Sequence, residues 1–320
     1  MKGLTDIPGI RVGHASDYDA LTGVTVITAE KGAVGGVAIR GSATGSEELD
    51  ALSPGHIAPH VHAVVLAGGS AFGLEAASGV RRYLEKRGVG FPAGVTVVPI
   101  VPCAILFDLA IGKAHVRPTR EMGEVAAAAA GDGPVVEGAV GAGAGATVGK
   151  IFGMRQAMKS GIGSFTVALD GDLAGVMVSS LVAVNALGDV RDPDTGRLIA
   201  GARRAPDSLE LADTAAQMKR GVEAGFRREN TTLAVVATNA RLSKIQATKL
   251  AQLAHLGMAR SISPVNTMSD GDLVIALSLG EAKAPVDALG VAAAEAVAQA
   301  VLRAVRLAKT LGGAPGLAGR

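Results

Sequence analysis

Aromatic side chains are scarce in this sequence, with no tryptophan, two tyrosines and six phenylalanines in 320 residues. So few rings leave little for stacking on bases, and 31 Lys+Arg against 29 Asp+Glu give a net charge of only +2. Neither stacking nor charge therefore argues for nucleic acid as a partner. A lone cysteine, Cys103, excludes an intrachain disulfide. The opening residues MKGLTDIPGIRVGHASD lack the apolar centre of a signal peptide, so a cytoplasmic location is expected. Long apolar runs are missing too. The longest charge-free apolar stretches, Val95 to Phe107 and Leu173 to Gly188, are shorter than a membrane span and are broken by Pro, Ser, Asn or Gly, so no membrane partner is expected.

What the chain does have is apolar content, 48%, and 44 glycines, about twice the usual share but without a fixed period. This composition suits a large folded core rather than a fibrous or disordered chain. Runs rich in Val and Ile predict strands at GVTVITA from Gly23, AVGGVAIRG from Ala33, HAVVLAGG from His62 and VTVVPIVPCAILFD from Val95. FTVALD and LAGVMVSSLVAVN flank Asp170-Gly171 and predict an antiparallel hairpin. Helices are predicted at Phe72 to Lys86, from the Ser243/Gln246 capping box to near Gly257, and at about Val286 to Lys309, where alanine is so abundant that a close helix-on-sheet approach is expected. The polar stretch Gly188 to Glu210 reads as a long surface loop, and RRENTTLAVVATNA from Arg227 returns to a β pattern with Thr231 and Thr232 at its mouth.

Several motifs invite chemistry. GAVGAGAGATVGK, Gly138 to Lys150, fails as a phosphate loop because Ala144 and Ile151 stand where Gly and Ser or Thr are needed, and it lacks the acidic ribose partner of a dinucleotide site. His56, His60 and His62 have a spacing that metal ligands could use, but no second ligand cluster accompanies them, and a loop entering a strand explains them equally well. Cys103 sits in an apolar run and reads as a buried, inert thiol. No cofactor or metal is therefore expected. A threonine hydroxyl becomes a nucleophile only beside a base, and a chain cut before Thr231 would supply that residue's own α-amine. Asp270 and Asp272 share a face if the strand already includes them, although local chemistry favours an exposed Asp-Gly turn.

Eight of these segments together resemble the DmpA-type L-aminopeptidase/D-esterase family, which also includes the nylon-oligomer hydrolase. They are IPGIRVGHA, TGVTVI, AVVLAGGSAFGLEAA, GAVGAGAGATVGK, KSGIGS, LVAVNALGDV, NTTLAVVATNA and SDGDLV, in family order over nearly the whole chain. The resemblance implies an α+β fold, a four-layer αββα sandwich of the kind shared with ornithine acetyltransferases. It implies one domain over 1–320, inactive until it cuts itself between Asn230 and Thr231 into fragments 1–230 and 231–320 that stay associated. It implies Thr231 as nucleophile and, through its freed amine, as base. It further implies Asn185 as oxyanion donor, Lys159 as a site cation, and Asp270 and Asp272 beside the nucleophile, a set nearer the nylon-oligomer-hydrolase branch than the serine peptidases. The implied activity is hydrolysis of N-terminal amides of short peptides, or of related small amides and esters, by a homo-oligomer, a tetramer by the same resemblance. Acyl transfer of the ornithine acetyltransferase type and a non-enzymatic ligand-binding role are the alternatives. A tyrosine expected as second oxyanion donor has no counterpart in the motifs around Tyr18 or Tyr83.

Overall fold

Among the described residues three large apolar clusters divide the chain into four layers. A computed structural model describes residues 1–223 and 230–319. Its principal strands are β1 (Arg11–Asp17), β2 (Thr22–Ile39), β3 (Val61–Ala67), β4 (Cys103–Ile105), β5 (Ile162–Ala168), β6 (Met177–Asn185), β7 (Thr231–Ala240) and β8 (Leu273–Ala282). The helices that cover them are α1 (Ala76–Lys86), α2 (Arg120–Ala128), α3 (Lys244–Ser261) and α4 (Val286–Arg306). One sheet runs β5-β6-β7-β8-β2 and the other β1-β2-β3-β4, so β2 belongs to both. All these pairs are antiparallel except β7 with β8 and β3 with β4.

Side-chain alternation along the strands builds the layers. On β7, Leu233, Val235 and Ala237 enter the cluster between the sheets, while Ala234 and Val236 enter the one under α3 and α4. On β3, Val64 and Leu66 point between the sheets, and Ala63, Val65 and Ala67 point to α1 and α2. Strands apolar on both faces are what a covered sheet pair requires, and the result is αββα. The alanine-rich α4 lies closest. A Cβ at Gly163 on β5 would collide with the Ala300 carbonyl, and one at Gly257 on α3 with that of Ala294. Among the described residues α4 is the one helix long and apolar enough to cross a membrane, and 72% of its apolar window is buried inside the sandwich.

Local signals misplace some boundaries. The two runs from Gly23 and Ala33 form a single strand, β2, whose pairing with β3 shifts register between Thr28 and Ala33, around Gly32 with φ +86°. The run from Val95 is strand only at Val97–Val98 and Cys103–Ile105, because Pro99 and Pro102 cannot donate to a ladder. The α3 helix continues past Gly257 to Ser261, since that glycine is needed for close contact with α4. Gly188 to Glu210 is not wholly a surface loop. Its strands Asp189–Arg191 and Leu198–Ala200 pair, and the buried Asp189 carboxylate accepts from Ala202 N–H at 2.8 Å and Thr214 Oγ at 2.6 Å. Arg227 to Glu229, at the head of the next predicted β run, lie outside the described residues.

Gly163→Ala tests the close packing of α4. Overfilling such a contact costs about 1–3 kcal/mol, so the denaturant midpoint should fall. An unchanged midpoint would contradict the approach of helix to strand.

Candidate active site

Four strand ends meet at one edge of the larger sheet. Strand β6 ends at Asn185, β7 begins at Thr231, β8 begins just after Asp272, and β2 ends at Ile39, from which Arg40 and Gly41 donate main-chain hydrogen bonds of 3.0 Å to the Asp272 carbonyl. Asn185 is the direct cross-strand partner of Thr231, and Asn230 bridges to Asp270 in parallel. Thr231 is only 3% exposed. Its Oγ donates to the carbonyl of the preceding residue, Asn230, at 2.5 Å, and the Gly271 N–H donates to the same oxygen at 2.7 Å.

Both aspartates are 1% exposed, which overturns the exposed Asp-Gly turn that local chemistry favours. The burial comes from parallel pairing with β7, a contact 40 residues away in sequence. Asp272 accepts from the Thr232 N–H at 2.5 Å through Oδ1 and from the Asn266 N–H at 2.9 Å through Oδ2. Asp270 accepts from Thr267 Oγ at 2.6 Å and Thr267 N–H at 3.0 Å. Burial, and then the neighbouring Asp270 charge, raise the Asp272 carboxyl to about 7. Burial raises Asp270 as well, opposed by its Thr267 hydrogen bonds and by Lys150.

Asn185 is held so that its donor end is defined. Its Oδ1 accepts from Lys150 Nζ at 2.8 Å and Thr147 N–H at 3.1 Å, leaving Nδ2 to donate to the Phe107 carbonyl at 2.8 Å. Lys150 also reaches the Asn185 main-chain carbonyl at 2.9 Å. The cation touching this site is thus one that the motifs present only as the end of a glycine run. Lys159 lies deeper. It is fully buried, with Nζ donating to the carbonyls of Gly143, Ala146 and Ser160 at 3.0, 2.8 and 2.6 Å. None of these three bonds reaches Thr231. Burial pulls Lys159 down to about 7, opposed by Asp108, whose own carboxyl burial pushes up to about 6. Asp108 accepts from the Gly69 N–H at 2.7 Å and is a second buried group that the motifs do not reveal.

The other candidate motifs have structural places. A Cβ at Gly143 would crowd the Gly161 backbone and one at Gly145 the Asp108 side chain, so the glycine run packs against its neighbours. His56 Nδ1 accepts from Ala58 N–H at 3.0 Å, His62 Nδ1 accepts from Ile100 N–H at 3.1 Å, and His60 packs on Gly32. Among the described residues no cluster of three or more His, Cys, Asp or Glu could hold a metal. Cys103 is buried, which pushes its thiol up, away from reactivity. Tyr18 is exposed, and Tyr83 packs in the α1 layer against Arg87. An open cleft of about 900 Å³ adjoins the strand edge, lined by Ser42, Ala43, Leu187, Met218, Thr267 and Met268 among others.

These layers, with a threonine at the head of a central strand, define an N-terminal-nucleophile hydrolase fold. Solved structures agree. The chain is similar to the L-aminopeptidase D-Ala-esterase/amidase of Ochrobactrum anthropi, described as a variant of the Ntn hydrolase fold (TM-score 0.76, 19% identity, 98% of this chain and 88% of that one). It is also similar to a Burkholderia sp. β-aminopeptidase (TM-score 0.69, 25% identity, 99% and 91%). The chain belongs to peptidase family S58, whose model matches residues 2–318. Among its relatives are an uncharacterized aminopeptidase of Mycobacterium tuberculosis, 41% identical over 98% of this chain and 96% of the relative, and the 6-aminohexanoate-oligomer endohydrolase of a Kocuria species, 31% identical over 94% and 85%. The chain is accordingly a hydrolase of the aminopeptidase and amidohydrolase type.

The carboxylate geometry predicts that Asp270→Asn and Asp272→Asn each slow any reaction at Thr231 by an order of magnitude or more, since charge-assisted hydrogen bonds are worth about 1.5–3 kcal/mol. Rates of chain cleavage and of substrate turnover, scored separately, check this. Wild-type values of both would remove the pair from the site.

Proposed function

We propose that the protein is made as an inactive precursor that cuts itself between Asn230 and Thr231, and that Thr231 then hydrolyses N-terminal amides of short peptides or related small amides and esters. The single observation that carries this reading is the Thr231 hydroxyl in contact with its own preceding carbonyl inside a buried site. In self-cleavage Thr231 Oγ forms a bond to the Asn230 carbonyl carbon, the carbon–nitrogen bond breaks, and the hydroxyl proton ends on the Thr231 nitrogen. Water then hydrolyses the ester, leaving an Asn230 carboxylate and a free Thr231 amine and hydroxyl.

That amine, with an unperturbed pKa of about 7.7–8.0, is the base for turnover. It takes the Oγ proton as Thr231 attacks the substrate carbonyl and returns it to the leaving amine, and water releases the acyl group. Asn185 Nδ2 is the donor for the substrate oxyanion, its orientation fixed by Lys150 and Thr147. Asp272 holds the start of β7 through the Thr232 N–H. Lys159 ties the glycine run to the strands beneath, acting on the site through its charge rather than by contact. The cleft beside Met218 and Met268 offers the substrate an apolar wall. No step calls for a metal or a cofactor. A cytoplasmic enzyme whose fragments stay joined by the pairing of β6 with β7 and of β2 with β8, and which assembles into a homo-oligomer, completes the reading; the buried, unpaired Cys103 suits that compartment.

Purified wild-type protein should therefore run as two chains, the smaller beginning TTLAVV, and Thr231→Ala should stay full length. An active wild-type enzyme that remains wholly uncut would overturn the proposal. Adding glutamate to an N-acetylated donor separates hydrolysis from acyl transfer, and efficient formation of N-acetylglutamate would reassign the reaction.

The pH dependence follows from Asp272. With its carboxyl raised to about 7, the ionised form that accepts from the Thr232 and Asn266 N–H groups, and so holds the start of β7 in place for attack, gains population as pH rises through that value. The self-cleavage rate should climb through about pH 7 and then level. A flat profile would exclude a titrating Asp272 from that step.

A further inference from the structure

The Asn230 carbonyl oxygen, which becomes an oxyanion when Thr231 attacks, accepts from the Gly271 N–H at 2.7 Å. Asn185 Nδ2 is engaged elsewhere, donating to the Phe107 carbonyl at 2.8 Å. The geometry points to two separate oxyanion donors in this protein, with the Gly271 main-chain N–H serving self-cleavage and the Asn185 side chain serving turnover. This inference rests on the self-cleavage reading and assigns a residue to it.

Three features make Gly271 fit that task. Its peptide is fixed on both sides: the Asp270 carbonyl accepts from the Ala43 N–H at 2.9 Å, and the Asp272 carbonyl accepts from Arg40 and Gly41, both at 3.0 Å. A donor already aimed at the developing charge needs no reorganisation during the reaction, and 2.7 Å is within the range at which such donors act. The flanking carboxylates are themselves anchored, Asp270 by Thr267 and Asp272 by Thr232 and Asn266, so the N–H cannot swing away. Finally, a Cβ on Gly271 would lie 2.8 Å from both Thr231 Oγ and the Ala43 carbonyl oxygen, so only glycine leaves the hydroxyl its place against the bond to be cut.

The two donors differ because the two acyl groups arrive from different directions. In self-cleavage the acyl carbon is tethered to the Thr231 nitrogen, on the Gly271 side of the strand end. In turnover that tether is gone, the nitrogen is a free amine, and the substrate enters from the cleft.

The test follows the full-length chain by gel and intact mass from synthesis onward in wild type, Gly271→Ala, Gly271→Pro and Asn185→Asp, with turnover measured on the cut protein. Gly271→Ala adds a Cβ but keeps the N–H, whereas Gly271→Pro removes the donor as well. Asn185→Asp keeps the oxygen used by Lys150 and Thr147 and replaces the donor. The expected results are a self-cleavage half-time at least about 100-fold longer for Gly271→Pro than for Gly271→Ala but less than tenfold longer than wild type for Asn185→Asp, together with a loss of turnover of about 10²–10³ in Asn185→Asp. Gly271→Pro cutting at the Gly271→Ala rate, or Asn185→Asp cutting more than tenfold slower than wild type, would overturn the division of labour while leaving the self-cleavage reading intact. A wild-type chain that never cuts overturns both. If either Gly271 variant fails to melt cooperatively, the Asn185→Asp half-time decides alone, by the same tenfold limit.

Discussion

One peptide bond, Asn230–Thr231, is held in the dry interior with its carbonyl oxygen hydrogen-bonded by both Thr231 Oγ and the Gly271 N–H. The rest of the site depends on that constraint. Strand topology makes it possible. Because β7 and β8 run parallel, their first residues share one edge, and because β6 and β2 run antiparallel to their neighbours, their last residues end at the same edge. Thr231, the Asn185 amide and the carboxylate pair therefore come together from sequence positions as far apart as 185, 231 and 272. They are placed by strand register, the most rigid positioning a protein of this kind has.

Keeping ionisable groups there is costly, and the structure shows how the cost is distributed. Burial first, and then the charge of the neighbouring Asp270, raise the Asp272 carboxyl to about 7. Main-chain N–H groups of Thr232 and Asn266, and Lys150 near Asp270, offset part of that penalty. A second buried set, Lys159 and Asp108, lies beneath, with Lys159 saturated by three carbonyls and drawn down to about 7. Groups poised near neutrality in this way are available for proton transfer, whereas ordinary surface aspartates and lysines are not.

Much of this was legible in the sequence, and the failures have a common cause. Strand alternation, the Ser243 capping box and the alanine-rich last helix are local signals, and each reappears in the structure. The order of motifs carried the family, and with it the proposal that Thr231 is the nucleophile. Asp270-Gly271-Asp272, read locally, is a turn; only pairing with a strand 40 residues earlier buries it. Lys150 and Asp108 carry no local signature, because the Lys150 contact with Asn185 and the Asp108 charge felt by Lys159 exist only once the sheets have folded. Gly188 to Glu210 reads as loop because its polar residues are satisfied by partners elsewhere, Asp189 by Thr214 and Arg203 by the carbonyls of Arg155 and Pro206.

In the proposed mechanism Thr231, once at a chain terminus, carries the acyl group of the substrate. Intact-mass spectrometry of the mature protein, acid-quenched while it turns over a slowly hydrolysed ester, tests this most directly. Fragment 231–320 should gain the mass of the acyl group, and fragmentation should place it on Thr231. An acyl group found on fragment 1–230, or turnover with no acylated fragment under conditions where hydrolysis of the acyl-enzyme limits the rate, would contradict it.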